Sequence, residues 1–313
     1  MNPVTRLVLV GIVCALPCLA AATSARQQTQ TTFQSRINGV AVDVAVLAGQ
    51  HPVRGLSAAD FIVLDNGVKQ QVTVDLLDAS AIDVTLVLDT SGSVAGETLT
   101  ALKTDITAVA ATLKRDDRLQ LLTVSTLVTD VFGVQPATAS LPLDAIHAGG
   151  TTSFYNALCA ALAIAPTSDR RRLIFAMSDG LDNTSFLDAN DVRDIALRTD
   201  AMLYVALVRT QLPVETDWQP PSPPAWWLPF GGGPDTATLS EAADSTGGWV
   251  RTSATGRTLA AAFTQAIVEY RAGYVLRYTA TGVDPIGWHD ITVQTTNSAY
   301  AVHARKRYFG GVR

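Results

Sequence analysis

Cysteine is scarce in this chain of 313 residues: there are three, and two of them, Cys14 and Cys18, fall within the first 25 positions. If those positions are removed, only Cys159 remains and no intrachain disulfide can form. Stability then has to come from a packed core and from any bound metal. Charge is scarce too, at 16% of residues, and the basic share is the smaller one, with 23 Lys and Arg against 28 Asp and Glu. Taking away residues 1 to 25 removes Arg6 and no acid, which leaves 22 against 28 and a net charge of −6. Such a balance excludes nucleic acid as an expected partner. Beyond residue 25 there is no apolar run long enough to span a bilayer, so no stable membrane span is expected once that stretch is cleaved. Hydrophobic residues nevertheless make up 48% of the chain, a globular composition that excludes general disorder.

The first 25 residues have the form of a signal peptide. Arg6 precedes an apolar run from Leu7 to Leu19, and the small residues Ala20 to Ala25 offer A-x-A-like cleavage sites after Ala22 or Ala25. Neither Cys14 nor Cys18 has the small-residue context of a lipid-attachment cysteine. A secreted or periplasmic location is the expectation.

After a polar stretch at 26 to 32, residues 33 to 78 read as a small antiparallel β unit of short alternating runs. Its hairpin signal is Asn66-Gly67 between two β-rich segments, because both positions of a type I′ turn need positive φ. From Ile82 the rhythm changes. Ile82 to Leu88 is a mostly apolar run, as in a strand buried on both faces, and Leu99, Leu102, Ile106, Val109 and Leu113 then fall on one helical stripe. Strand and helix go on alternating through RLQLLTVS, VTDVF, FYNALCAALAIA, RLIFAMS, DANDVRDIALRT and AMLYVALV, and two further helices, ATLSEAADSTGG and LAAAFTQAIVEYR, complete the unit. The pattern predicts an α/β fold with a doubly wound, mostly parallel sheet over 82 to 270. Residues 209 to 235 interrupt it as a long loop, with six prolines before Phe230, the pair Trp226 and Trp227, and Gly231 to Gly233. Alternating β character returns at 272 to 309, in YVLRYTA, HDITVQTT and YAVHARKRYF. This C-terminal β unit is expected to pair with 33 to 78 and leave the α/β unit as an insertion, since either half alone would have edges to satisfy.

Three oxygen-rich segments carry the chemistry. Asp89-Thr90-Ser91-Gly92-Ser93 ends the first buried strand and puts one carboxylate and two hydroxyls on a tight loop. Gly149-Gly150-Thr151-Thr152 precedes a helix, and Ser178-Asp179-Gly180 ends the strand RLIFAM. Oxygen is the donor that hard cations such as Mg²⁺ and Ca²⁺ prefer, and in a doubly wound sheet such strand ends line one crevice.

In this order, DTSGS, GGTT and SDG resemble the metal-ion-dependent adhesion site (MIDAS) of von Willebrand factor type A (VWA) domains. Position by position, the resemblance implies that Asp89, Ser91, Ser93, Thr151 and Asp179 hold one divalent cation, Mg²⁺ or else Mn²⁺ or Ca²⁺, with Ser91 and Ser93 binding it directly. The flanks VRGLSAADFIVLDNGVKQQV, YRAGYVLRYTATGVDPIGWHDITVQT and ARKRYF resemble an exported bacterial VWFA-related family of the acidobacterial type, which implies an architecture and no established activity. The expected function is a metal-dependent protein-binding, adhesive module that docks an exposed Asp or Glu of a partner on the cation. The alternatives are a structural scaffold for cell-envelope assembly with a metal-stabilised VWA insert and, ranked below it, an unrecognised hydrolase. Catalysis is not expected, because G-x-S-x-G, P-loop and HExxH patterns are all missing.

Simpler roles compete at individual positions. Ser93 could cap the following helix, Thr152 or Ser153 could cap the next one, and Asp179 could merely precede a turn. Asp182 and Asn183 read as turn formers, His147 as a surface residue, and Cys159 as a small buried hydrophobe. Trp226, Trp227 and Phe230 could bind a partner or pack back on the domain. The run Asp169 to Arg172 reads as a solvated turn before a strand.

Overall fold

The computed structural model describes residues 39–78, 80–167, 170–208, 235–253 and 259–311. The signal-peptide stretch, residues 26 to 32 and the Pro/Trp/Gly-rich segment up to residue 234, with Trp226, Trp227 and Phe230, lie outside them. No helix among the described residues is long and apolar enough to cross a membrane.

Five strands come first: β1 (Gly39–Ala48), β2 (His51–Pro52), β3 (Phe61–Asp65), β4 (Val68–Gln70) and β5 (Thr73–Leu76). Period-2 alternation sends Val42, Val44 and Val46 of β1 and Phe61 and Val63 of β3 into one core. Asn66 and Gly67 both take positive φ, 47° and 80°, and join β3 to β4 with Asp65 paired to Val68. That is the backbone a two-residue type I′ turn requires.

The α/β unit runs through β6 (Ile82–Asp89), α1 (Glu97–Ala110), β7 (Arg118–Val124), β8 (Val128–Pro136), α2 (Phe154–Ala163), β9 (Arg171–Ser178), α3 (Ala189–Ala196), β10 (Met202–Val208), α4 (Thr236–Thr246), β11 (Trp249–Ser253) and α5 (Leu259–Arg271). Its sheet is mixed, in the order β11-β10-β9-β6-β7-β8. The pairs β6–β7, β6–β9, β9–β10 and β10–β11 are parallel, and β8 lies antiparallel at the edge. Successive residues of each inner strand serve opposite faces. Leu86, Leu88, Phe175 and Met177 pack with Leu102 and Ile106 of α1 and Phe263 of α5. Val87, Ile174 and Ala176 pack with Leu158 of α2, Val192 of α3 and Leu239 of α4. Covering both faces explains why these strands are apolar throughout rather than alternating. Each fully buried Leu or Phe contributes roughly 1.5–3 kcal/mol. Strand β11 is an addition to the elements that the sequence pattern marks. It is five residues long, lies at the sheet edge, and carries Arg251 with its guanidinium 4.3 Å from the ring of Trp249, so no apolar run marks it.

The chain ends in β12 (Tyr274–Thr279), β13 (Gly287–Thr295), β14 (Ala301–Ala304) and β15 (Arg307–Gly310). β1 lies between β12 and β14, and β3 pairs with β13, all antiparallel. The two resulting sheets, β14-β1-β12-β5 and β15-β13-β3-β4, therefore each hold strands from both ends of the chain. YAVHARKRYF, which reads as one run, divides at Arg305–Lys306 because its halves join different sheets. A buried polar cluster ties the flanks together. Asp65 of β3 accepts hydrogen bonds from Tyr278 of β12 (2.9 Å) and Tyr308 of β15 (2.8 Å), and pairs with Nδ1 of His289 on β13 (2.6 Å).

Candidate metal centre

β6 delivers Asp89 to the carboxyl edge of the central sheet with no solvent exposure. Its two carboxylate oxygens are both engaged: the N–H of Ser91 donates to Oδ1 (2.8 Å) and the hydroxyl of Ser178 to Oδ2 (2.5 Å). Residues 91 to 95 form a tight 3-10 turn, and Gly96, not Ser93, is the N-cap of α1. The Oγ atoms of Ser91 and Ser93 lie 3.0 Å apart, with Ser91 buried and Ser93 open to solvent.

The second loop is zipped to the first by backbone hydrogen bonds. Gly92 N–H donates to Gly150 (3.0 Å), and Gly149 N–H donates to Thr90 (2.8 Å). Gly150 has φ +79°, and a Cβ there would lie 2.6 Å from Oγ1 of Thr126, so only glycine fits this turn without displacing that hydroxyl. Thr126 in turn holds Thr151, accepting both its N–H (3.1 Å) and its hydroxyl (3.0 Å), while Oγ1 of Thr184 lies 3.1 Å from the same hydroxyl. The partners of the Thr151 hydroxyl are thus these two threonines rather than the serines of the first loop. Ser153 is the N-cap of α2, without a side-chain cap bond.

The third loop leaves β9 at Ser178. Gly180 N–H donates to Ser178 Oγ (2.9 Å), and Leu181 N–H to Oδ1 of Asp179 (3.1 Å). The other oxygen of Asp179, Oδ2, is buried with no hydrogen-bond partner. Burial pushes the Asp89 carboxyl above its ordinary pKa; the hydrogen bonds from Ser178 and Ser91 pull the other way, and the Asp179 carboxylate raises it further.

Asp182 and Asn183 do more than form a turn. Oδ2 of Asp182 accepts Tyr155 N–H at the start of α2 (2.9 Å), and Oδ1 of Asn183 accepts Thr152 N–H (2.8 Å), so the third loop braces the second. Nothing local in the sequence marks Thr126 and Thr184, whose contacts with Thr151 span 25 and 33 residues. His147 is exposed. Cys159 is buried, and burial, with Asp191 and Asp188 adding to it, pushes its thiol up to about 12.

The five residues offer two carboxylates and three hydroxyls, an all-oxygen set suited to a hard cation. No cluster of three or more His, Cys, Asp or Glu occurs among the described residues. Two features of the set are compatible with a divalent ion: Asp179 Oδ2 is a buried acceptor without a partner, and burial together with the Asp179 charge disfavours the ionised form of Asp89. Positive charge there would relieve both.

No protein-family model and no curated protein matches the chain. Solved structures that resemble it include a von Willebrand factor type A protein from Catenulispora acidiphila, 12% identical over 88% of this chain and 75% of that one, with a TM-score of 0.48. The conserved hypothetical protein BatB from Bacteroides thetaiotaomicron is 16% identical over 61% of this chain and 98% of its own, with a TM-score of 0.47. The manganese-loaded TRAP protein of Plasmodium vivax is 13% identical over 79% and 98%, with a TM-score of 0.41.

Proposed function

We propose that Asp89, Ser91, Ser93, Thr151 and Asp179 hold one divalent cation, Mg²⁺ first and Mn²⁺ or Ca²⁺ as alternatives, and that a protein partner docks an Asp or Glu carboxylate there. The module would be a VWA-like domain of residues 82 to 270 with a doubly wound sheet. It would be inserted between β units at 33 to 78 and 272 to 309 in a secreted or periplasmic protein. One observation carries the reading: Oδ2 of Asp179 is a buried acceptor with nothing to accept from, and the Asp179 carboxylate acts electrostatically on Asp89, helping to raise its pKa. An unpartnered buried carboxylate oxygen is destabilising by itself, and it is explained if the site evolved to bind positive charge.

The chain's own residues divide the work. Ser178 fixes the orientation of Asp89, and Asp89 fixes the loop through the N–H of Ser91. The exposed Ser93 marks the solvent side on which a partner would approach. Thr151 would join by turning its hydroxyl away from Thr126 and Thr184. If bound, the cation would supply positive charge that attracts a carboxylate, a charge-assisted contact that breaks no bond.

Calorimetry with MnCl₂ and MgCl₂ tests the reading. Saturable binding at one site in the wild type, lost in Asp89→Ala, is expected. The absence of binding at millimolar metal in a folded wild type would overturn it.

A further inference from the structure

Four apolar side chains at the rim of this site are exposed, and what they imply rests on the cation-docking reading above. Leu127 lies in the turn between β7 and β8, one residue beyond Thr126. Leu181 donates its N–H to Asp179. Phe186 and Leu187 come two and three positions after Thr184, whose hydroxyl meets that of Thr151. Two residues of chain reach at most about 7 Å, so Phe186 belongs to the immediate surround of the site. Phe186 is 97% exposed and Leu127 74%. An aromatic ring so exposed forgoes the stabilisation that packing among the described residues would give it, which leaves it free to meet a partner.

The loop that carries Phe186 is braced. Oδ1 of Asn156 accepts the N–H groups of both Phe186 (3.2 Å) and Leu187 (3.1 Å), and Asp182 accepts the N–H (3.1 Å) and the hydroxyl (2.7 Å) of Ser185. Immediately after it, Asp188 caps α3 by accepting the N–H groups of Asn190 and Asp191, while Asp191 accepts the N–H of Asp188. Phe186 is thus presented on backbone whose hydrogen bonds are already made, the condition under which an aromatic anchor adds affinity at little ordering loss.

Charge selects the kind of partner. From Leu173 to Val192 there is no Lys or Arg, and there are four aspartates, Asp179, Asp182, Asp188 and Asp191. An anionic lipid surface would be repelled by this loop. A peptide can place a single carboxylate at the cation and an apolar neighbour over the ring. We propose that this face recognises a protein segment in which an Asp or Glu is flanked by a large apolar residue, with Phe186 as the contact that reads the flank.

Four immobilised octapeptides provide the test: a central Glu between two Leu, a central Glu between two Ser, and the same pair with Gln in place of Glu. The full chain in millimolar MnCl₂ should bind the Leu-flanked Glu peptide about tenfold more tightly than the Ser-flanked one, and neither Gln peptide. Phe186→Ser should erase that preference and leave calorimetric Mn²⁺ binding unchanged, while Phe186→Leu should retain most of it. Equal affinity for the two Glu peptides with Mn²⁺ binding intact overturns the inference and leaves the metal centre standing; a wild type that binds no Mn²⁺ overturns both. Sedimentation with phosphatidylcholine–phosphatidylserine vesicles that Phe186→Ser abolishes would replace the protein segment by a membrane and overturn the proposal.

Discussion

The hydroxyl of Ser178 donates to Oδ2 of Asp89 at 2.5 Å and so cross-links the carboxyl ends of two neighbouring parallel strands, β9 and β6. Ser178→Ala leaves that buried oxygen without a partner. The unfolding free energy should fall by about 1–3 kcal/mol in denaturant titrations. Mn²⁺ affinity should fall by about 10- to 100-fold in calorimetry, because the ligand loses its orienting group. Unchanged affinity would mean that Asp89 does not need Ser178 to bind metal.

Asp179→Asn separates apo stability from metal stability. It removes charge beside Asp89, so the metal-free variant should melt at or above the wild-type temperature. The wild type should gain about 2.7 kcal/mol at metal concentrations a hundred times the dissociation constant, and the variant should lose this gain. An equal metal-induced rise in both proteins would exclude Asp179 from the centre.

Asp105 of α1 gives a pH signature. Its carboxyl is buried, Oδ2 has no partner, and burial raises its pKa to about 6 from 3.8, against a weaker downward pull from the N–H of Ala260 in α5. As the pH rises from about 4 to about 6 the unfolded chain releases this proton before the folded one does, so stability falls through that window. Asp105→Asn keeps the acceptor and removes the titration. It should therefore be more stable than the wild type by about 1–3 kcal/mol at pH 7.5 and nearly equal to it at pH 3.5. Urea midpoints at the two pH values read this out, and a constant difference would refute it.

Asp65 holds the flanks together through Tyr278, Tyr308 and His289. Asp65→Ala strands two buried polar partners, Tyr278 and His289, and the half-buried Tyr308, and should lower stability by about 3–5 kcal/mol, whereas Tyr308→Phe should cost about 1 kcal/mol. Denaturant titrations monitored by tryptophan fluorescence distinguish the two, and comparable losses would argue against a shared acceptor.

How legible these features are in the sequence depends on their range. Ile82 to Asp89 is readable because a strand covered on both faces is apolar throughout, and α1 because Leu99, Leu102, Ile106 and Val109 recur at helical spacing. The Asn66-Gly67 turn is readable because positive φ restricts residue choice. Trp249–Ser253 is not, since an edge strand of five residues with a charged side chain has no periodic mark. In the candidate site, the oxygen donors stand out as local motifs. The hydroxyl pair that holds Thr151, and the links from Asp182 to Tyr155 and from Asn183 to Thr152, join segments 25 to 33 residues apart and leave no local trace.

Leu76 at the end of β5 and Tyr274 at the start of β12 are register partners in one antiparallel ladder. Everything from β6 to α5 is therefore a closed loop whose two feet are tied side by side. As long as the flanking sheets hold, an unfolded α/β unit remains tethered at both ends, and its conformational freedom is curtailed much as a covalent bridge would curtail it. For a loop of this length the chain-entropy model values such a constraint at about 5 kcal/mol. In a chain with a single cysteine among its described residues, hydrogen-bonded strands thus take over the duty of a disulfide.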